Sequence, residues 1–88
     1  MTLRQLRRQI DRIDRQILRL LNRRAVLALQ VGRVKKSQGH PVFDGRREAE
    51  ILQSLTKKNS GPFSSVAVRE IFRAILHYSR RLVAVAKK

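Results

Sequence analysis

Residues 3–34, LRQLRRQIDRIDRQILRLLNRRAVLALQVGRV, carry the pattern that decides the fold of this chain. Apolar side chains recur there every three or four positions, which predicts one stripe along an α-helix. The helix is expected to run from about Thr2, its N-cap, to about Ser37 and to be about 50 Å long. The stripe consists of Leu3, Leu6, Ile10, Ile13, Ile17, Leu20, Leu27, Val31 and Val34, and Arg24 lies in line with them.

A helix of this length needs more cover than the rest of an 88-residue chain can provide. A domain of this size buries only about 60 to 65% of the surface that its unfolded chain exposes. We therefore expect a second copy of the chain to lie alongside, in an intertwined or coiled-coil-like homodimer.

Two segments rich in helix-breaking residues, QGHP at 38–41 and NSGP at 59–62, divide the remaining sequence. A short second helix is predicted between them, from an Asp44 N-cap to near Lys58. A third helix follows the second breaker, and no segment has the pattern of a strand. The sequence thus predicts an all-α fold, a three-helix protomer with a long first helix, in which residues 1–88 form a single domain.

The composition argues against several kinds of chemistry. The chain has no cysteine and only two histidines, so we expect neither thiolate catalysis nor a disulfide nor a metal site. It has no apolar run long enough for a signal peptide or a membrane span. A cytoplasmic protein without a membrane partner is the resulting expectation.

The charge is strongly unbalanced, with 21 Lys and Arg against six Asp and Glu and a formal net charge of +15. Such a field attracts polyanions, so a basic helical nucleic-acid-binding module is an alternative function. Side chains that could stack on bases are few, and nucleic acid is therefore not the expected partner. These aromatic residues are Phe43, Phe63, Phe72 and Tyr78.

Arg24 and Lys35 are predicted to share one wall of the first helix. Eleven steps of about 100° exceed three full turns by only about 20°, so the two cations point in nearly the same direction. A cation on an apolar face needs a counter-charge, and carboxylates are scarce here. We expect an anion from outside the chain to supply the counter-charge. The alternative is that the charged groups of both side chains reach water or pair with a carboxylate on a neighbouring helix.

The other two helices also direct polar groups inward. Ser79 lies on the apolar stripe of the third helix, which Ser64 or Ser65 can cap. The structural alternative for Ser79 is a hydroxyl bonded to the carbonyl four residues earlier. Glu48 lies on the inward face of the second helix, near Asp44, whose alternative role is the N-cap alone. Arg47 beside them is otherwise a solvated or ion-paired surface residue.

These residues, in this order, resemble a known family, the AroQ class of all-helical chorismate mutases. The resemblance rests on LRRQIDRIDRQILRLLNRR (6–24), on VGRVKKSQGHPVFDGRRE (31–48) and on the third helix. It implies the concerted rearrangement of chorismate to prephenate in a homodimer of three-helix protomers, without a cofactor. It also implies catalytic roles for Arg24 and Lys35.

The resemblance implies a role for each cation of the first helix. Arg24 would bind one substrate carboxylate within its own protomer. Arg7 would reach into the pocket of the partner subunit for the other carboxylate, and it lies about 100° around the helix from Arg24. Lys35 would donate a hydrogen bond to the ether oxygen whose bond to carbon breaks.

The remaining substrate-binding residues are implied in the same way. Asp44 with Glu48 would orient the ring hydroxyl, Arg47 would support that region by its charge, and Ser79 would lie beside a carboxylate. A pericyclic reaction needs no nucleophile, base or metal. It needs a compact substrate conformer and stabilisation of the charge that grows on one oxygen.

Val83 departs from the family pattern. The family usually has Gln or Glu at this position, four residues after Ser79, as a second donor to the ether oxygen. No Gln or Glu follows Glu70 in this chain. Loss of one such donor typically costs on the order of a hundredfold in turnover, so we expect a weak mutase or one assisted by a partner, by His77 or by Arg80.

Two alternative functions are related to the mutase activity that the resemblance implies. An isochorismate pyruvate lyase uses the same scaffold, although the Asp44, Arg47 and Glu48 group is more typical of the mutases. The turn at residues 59–63 resembles mutase modules that are fused to other enzymes of aromatic amino-acid biosynthesis. A partner enzyme of that biosynthesis, or a regulatory role, therefore remains an alternative.

Overall fold

The computed structural model describes residues 1–86 and contains three α-helices: α1 (Leu3–Ser37), α2 (Gly45–Lys58) and α3 (Ser65–Ala86). No strand occurs in this part of the chain. The predicted all-α fold with a long first helix is thus confirmed, and the described residues extend over 55 × 26 × 15 Å. None of the three helices is both long and apolar enough to cross a membrane.

Specific side chains fix both ends of α1. At its start, Thr2 Oγ1 accepts a hydrogen bond from the Gln5 amide at 3.1 Å, and Gln5 Oε1 accepts one from the Thr2 amide at 2.8 Å. This reciprocal pair is a capping box. At its end, Gly39 has a φ of 73°, and the amides of Gly39 and His40 donate to the carbonyls of Lys36 and Lys35. That is a Schellman motif, which ends the helix where glycine allows a left-handed residue.

Short polar side chains begin the other two helices. Asp44 Oδ1 accepts from the Arg47 amide at 3.0 Å and caps α2. Ser64 Oγ accepts from the Ala67 amide at 3.1 Å, so Ser64 rather than Ser65 caps α3. Each of these bonds satisfies an amide that has no partner within its own helix.

Helix α3 packs against both α1 and α2. Helix α3 comes close to α1 at Gly32, which is buried together with Leu76 and Val83. A Cβ atom added to Gly32 would lie 2.6 Å from Val83 Cγ1. The missing side chain at Gly32 is therefore what allows α3 to lie so close to α1.

Most of the apolar stripe of α1 is uncovered within one chain. Ile10 is 56% exposed, Ile17 is 48% exposed and Val34 is 54% exposed. Soluble proteins rarely leave a continuous apolar face of this length in water. The fold of one chain thus provides a site-bearing half, formed by α2, α3 and the end of α1, and a long apolar face beside it.

We expect Gly32→Ala to lower the free energy of unfolding by about 1 kcal/mol. Overpacking a core typically costs about 1–3 kcal/mol, and the better helix propensity of alanine returns roughly 1 kcal/mol. Urea unfolding at fixed protein concentration measures the change. Introducing Gly32→Ala into Val83→Ala is the control, because the clashing methyl is then absent and the substitution should be neutral or stabilising. Equal destabilisation in both backgrounds would contradict the close contact.

Candidate active site

A cavity of about 310 Å³ lies between the three helices and the loop that joins α1 to α2. Its volume is in the range of pockets that bind small molecules. Every predicted site residue except Arg7 lines it. These residues are Arg24, Lys35, Asp44, Arg47, Glu48, Ser79 and Val83.

Arg24 and Ser79 form one side of the cavity. Arg24 Nη1 donates to Ser79 Oγ at 3.1 Å, and Ser79 Oγ donates to the Ile75 carbonyl at 2.7 Å. The structural alternative for Ser79 is thus correct, and the same hydroxyl also holds the guanidinium. Within residues 1–86, no carboxylate oxygen lies within 4.0 Å of the Arg24 guanidinium. The charge of Arg24 therefore has no protein counter-ion in this part of the chain.

Lys35 lies on the same wall of α1, as the helical spacing predicts. Its side chain is 25% exposed, and its Nζ donates to the Val42 carbonyl at 3.3 Å. The nearest carboxylate oxygen is Asp44 Oδ2, at 4.0 Å. An ammonium group has three N–H donors, so the bond to Val42 leaves donors for a bound molecule.

Asp44 and Arg47 have structural roles as well as positions on the cavity. Asp44 uses one oxygen as the N-cap of α2 and turns the other toward Lys35. Arg47 Nη1 lies 4.0 Å from Glu50 Oε2, in an exposed pair of the kind that contributes little to stability. The alternatives considered for both residues, the cap and the surface ion pair, are therefore observed.

Glu48 is paired with Arg80, a residue that the sequence indicates only as a neighbouring side chain. Arg80 Nη1 donates to Glu48 Oε1, and the Arg80 guanidinium carbon lies 5.3 Å from the centre of the Phe43 ring. His77, the other neighbour named for assistance, does not line the cavity and packs edge-on against Tyr78. The position of Arg80 one residue after Ser79 is the only sequence signal that points to it.

Val83 and other apolar side chains form the floor of the cavity. Val83 is 6% exposed and contacts the wall at Gly32. It presents methyl groups where the family pattern has an amide or carboxyl. The apolar lining also includes Leu27, Ala28, Val31, Val42, Ile51 and Leu76, none of which the sequence pattern assigns to the site.

Arg7 does not line the cavity of its own chain. It precedes Arg24 by seventeen residues on a continuous helix, a separation of about 25 Å along the axis. An extended arginine side chain cannot cover that distance. Arg7 therefore does not reach the cavity of its own chain.

The cavity combines an apolar floor with an excess of positive charge. The cations Arg24, Lys35, Arg47 and Arg80 outnumber the carboxylates Asp44 and Glu48. Among residues 1–86, no group of three or more His, Cys, Asp or Glu is arranged to hold a metal ion. Fold and site together define an all-helical protein with a small-molecule cavity that suits an organic anion.

Comparisons with known proteins identify the family. The family Chorismate mutase type II matches residues 6–84, and the chain belongs to this family. The chorismate mutase of Methanocaldococcus jannaschii is 30% identical over 80 residues, which are 89% of this chain and 80% of that protein. The resemblance found in the sequence is thus confirmed.

Other relatives are longer proteins. The bifunctional chorismate mutase/prephenate dehydratase of Aquifex aeolicus is 38% identical over 82 residues, which are 93% of this chain and 22% of that protein. The chain spans about a fifth of the length of the bifunctional relatives that it matches. Among solved structures, a chorismate mutase from Thermus thermophilus (Form II) is similar, with a TM-score of 0.92, 39% identity and 93% of each chain covered.

Proposed function

We propose that this chain converts chorismate to prephenate. The proposal rests on family membership and on one observation in particular: Arg24 lies on the same cavity wall as Lys35 and has no carboxylate partner among the described residues. A half-buried cation is stable when a counter-charge is supplied, and a substrate carboxylate supplies one. We also propose that residues 1–88 are one domain and that the protein is cytoplasmic, as suits a biosynthetic enzyme family.

Binding of a dianion requires two separate cations. Arg24, oriented by Ser79, is suited to one carboxylate because its guanidinium can donate two parallel hydrogen bonds. For the other carboxylate we propose Arg7 of the partner subunit. Arg24 and Arg47 also border a second hollow of about 310 Å³, lined further by Leu55 and Phe72.

The chemical step then needs a folded substrate and a donor at the ether oxygen. Lys35 has free N–H donors and lies between the wall of α1 and the loop before α2. Its positive charge stabilises the negative charge that develops on the ether oxygen as the bond to carbon breaks. Asp44 and Glu48 would accept from the ring hydroxyl, and Arg47 would act on this end by its charge.

Two features of α1 support the proposal of a homodimer with shared sites. Its apolar stripe is uncovered within one chain, and its Arg7 lies far from its own cavity. Two copies whose first helices pack on each other would cover the stripe and bring Arg7 of one chain to the cavity of the other. The proposed catalyst is thus the pair of chains.

Two alternatives remain distinguishable by experiment. A lyase on this scaffold would release pyruvate from isochorismate and leave chorismate unchanged. A partner enzyme would raise the activity of the chain when added, and the bifunctional relatives, which carry a prephenate dehydratase activity by name, make that class of partner the first to test.

We expect the wild-type protein to consume chorismate, measured by loss of its ultraviolet absorbance. Arg24→Ala and Lys35→Ala should each lower kcat/KM by at least about 100-fold, because each removes a fixed charge from the transition state. Arg23→Ala and Lys36→Ala are charge-matched neighbours that do not line this cavity and should keep activity within about threefold. Equal losses in all four variants would contradict the assignment.

Mixing two inactive variants tests the shared site. In a hybrid of Arg24→Ala with Arg7→Ala, one pocket keeps both arginines, so an equal mixture after subunit exchange should regain roughly a quarter of wild-type activity. The control is a mixture of Arg24→Ala with Lys35→Ala. Both residues belong to the same protomer, so this hybrid has no intact pocket and should stay inactive. No difference between the two mixtures would contradict a pocket shared between chains.

Val83→Gln should raise kcat on the order of tenfold to a hundredfold, because the amide adds a donor on the cavity floor. Val83→Leu is the matched control, since it changes the packing against Gly32 without adding a polar group. Steady-state kinetics with unfolding curves for both variants separates catalysis from stability. A rise in kcat with leucine, or none with glutamine in a folded protein, would show that the missing donor does not limit turnover.

A further inference from the structure

Arg80 connects three parts of the molecule through one guanidinium group. Its own helix is α3, its Nη1 donates to Glu48 on α2, and its guanidinium carbon lies over the Phe43 ring in the loop. The Arg80 side chain is 38% exposed and that of Glu48 is 21% exposed. The pair is thus partly shielded, and the Arg80 guanidinium is held by Glu48 on one side and by the Phe43 ring on another.

The pairing decides which oxygen of Glu48 is available. Arg80 occupies Oε1, and no described residue donates a hydrogen bond to Oε2. A carboxylate held by one oxygen can still accept a hydrogen bond on the other. Because Glu48 lines the cavity, the free oxygen is available to a hydroxyl of a bound molecule.

The pairing also decides the charge that a bound molecule meets. An unpaired carboxylate at Glu48 would repel a dianionic substrate across the cavity, since like charges interact strongly away from water. Arg80 neutralises Glu48 and leaves Arg24 and Lys35 to bind the substrate.

The stacking contact extends the effect to Asp44. Phe43 precedes Asp44 directly, and Arg80 lies against its ring. The loop and the first turn of α2 are thereby tied to the same group on α3. Asp44 and Glu48, the two carboxylates proposed for the ring hydroxyl, are thus held at one spacing.

We propose that Arg80 is a positioning residue of this site: it neutralises Glu48 and fixes its orientation, so that the carboxylate binds the substrate hydroxyl without repelling the substrate. This inference rests on the proposed mutase function. It predicts that the effect of removing Arg80 depends on the charge at Glu48, which a purely structural contribution would not require.

The test is a double-mutant cycle of Arg80→Ala and Glu48→Gln, measured as KM and kcat for chorismate. We expect Arg80→Ala alone to raise KM at least about tenfold. In the Glu48→Gln background, where no carboxylate needs neutralising, the same substitution should raise KM less than about threefold. Arg80→Lys retains the charge and should keep KM within about threefold of wild type while kcat falls, because lysine lacks the planar fork and the stacking.

Arg81→Ala is the matched control, since Arg81 is the adjacent exposed arginine, and it should leave both constants unchanged. Equal rises of KM in both backgrounds, or no rise in either, would overturn the role of Arg80. Thermal unfolding of each variant identifies any that does not fold. If Arg80→Ala does not fold, Arg80→Lys combined with Glu48→Gln tests the pair formed by these two residues instead. If wild type and Arg81→Ala both leave chorismate unchanged, the mutase function fails and this inference fails with it.

Discussion

The packing of α3 on both other helices is the constraint on which the site depends. At Gly32 the Val83 side chain lies so close to the α1 backbone that an added methyl group would collide with it. About one turn before Val83, α3 carries the hydroxyl that holds Arg24 and the guanidinium that holds Glu48. A shift of α3 would therefore disturb the cationic wall and the carboxylate end of the cavity together.

The distribution of charge in the cavity is consistent with catalysis by fixed electrostatics. Arg80 pairs with Glu48, and Arg47 and Lys35 each lie 4.0 Å from a carboxylate oxygen. Among the described residues Arg24 has only the Ser79 hydroxyl as its partner. Binding a dianion completes the charge balance that the fold leaves open. The apolar floor at Val83 keeps this charge concentrated on one wall. Val83 stands where the resemblance implies a second donor, so this chain is suited to measuring the effect of one donor separately from the others.

Periodicity and capping chemistry predicted the three helices to within a residue at most ends, because the signals are local. The breakers at residues 38–41 and 59–62 and the cap at Asp44 act within one turn of the chain. The positions of Arg24 and Lys35 on one wall also followed from helix geometry alone. The pair formed by Arg80 and Glu48 did not, since it depends on how α2 and α3 are rotated against each other. The role proposed for Arg7 depends on a second chain, which no local pattern describes.

The uncovered stripe of α1 has a consequence for how such a protein works at low abundance. If association covers that stripe and also completes each cavity, then the free energy of association stabilises the folded chain and also determines how many cavities are active. Dilution would then not yield slow, intact monomers. It would convert active pairs into partly unfolded chains, so the rate per milligram of protein would fall as the protein concentration is lowered. The cellular level of the chain would then itself regulate flux.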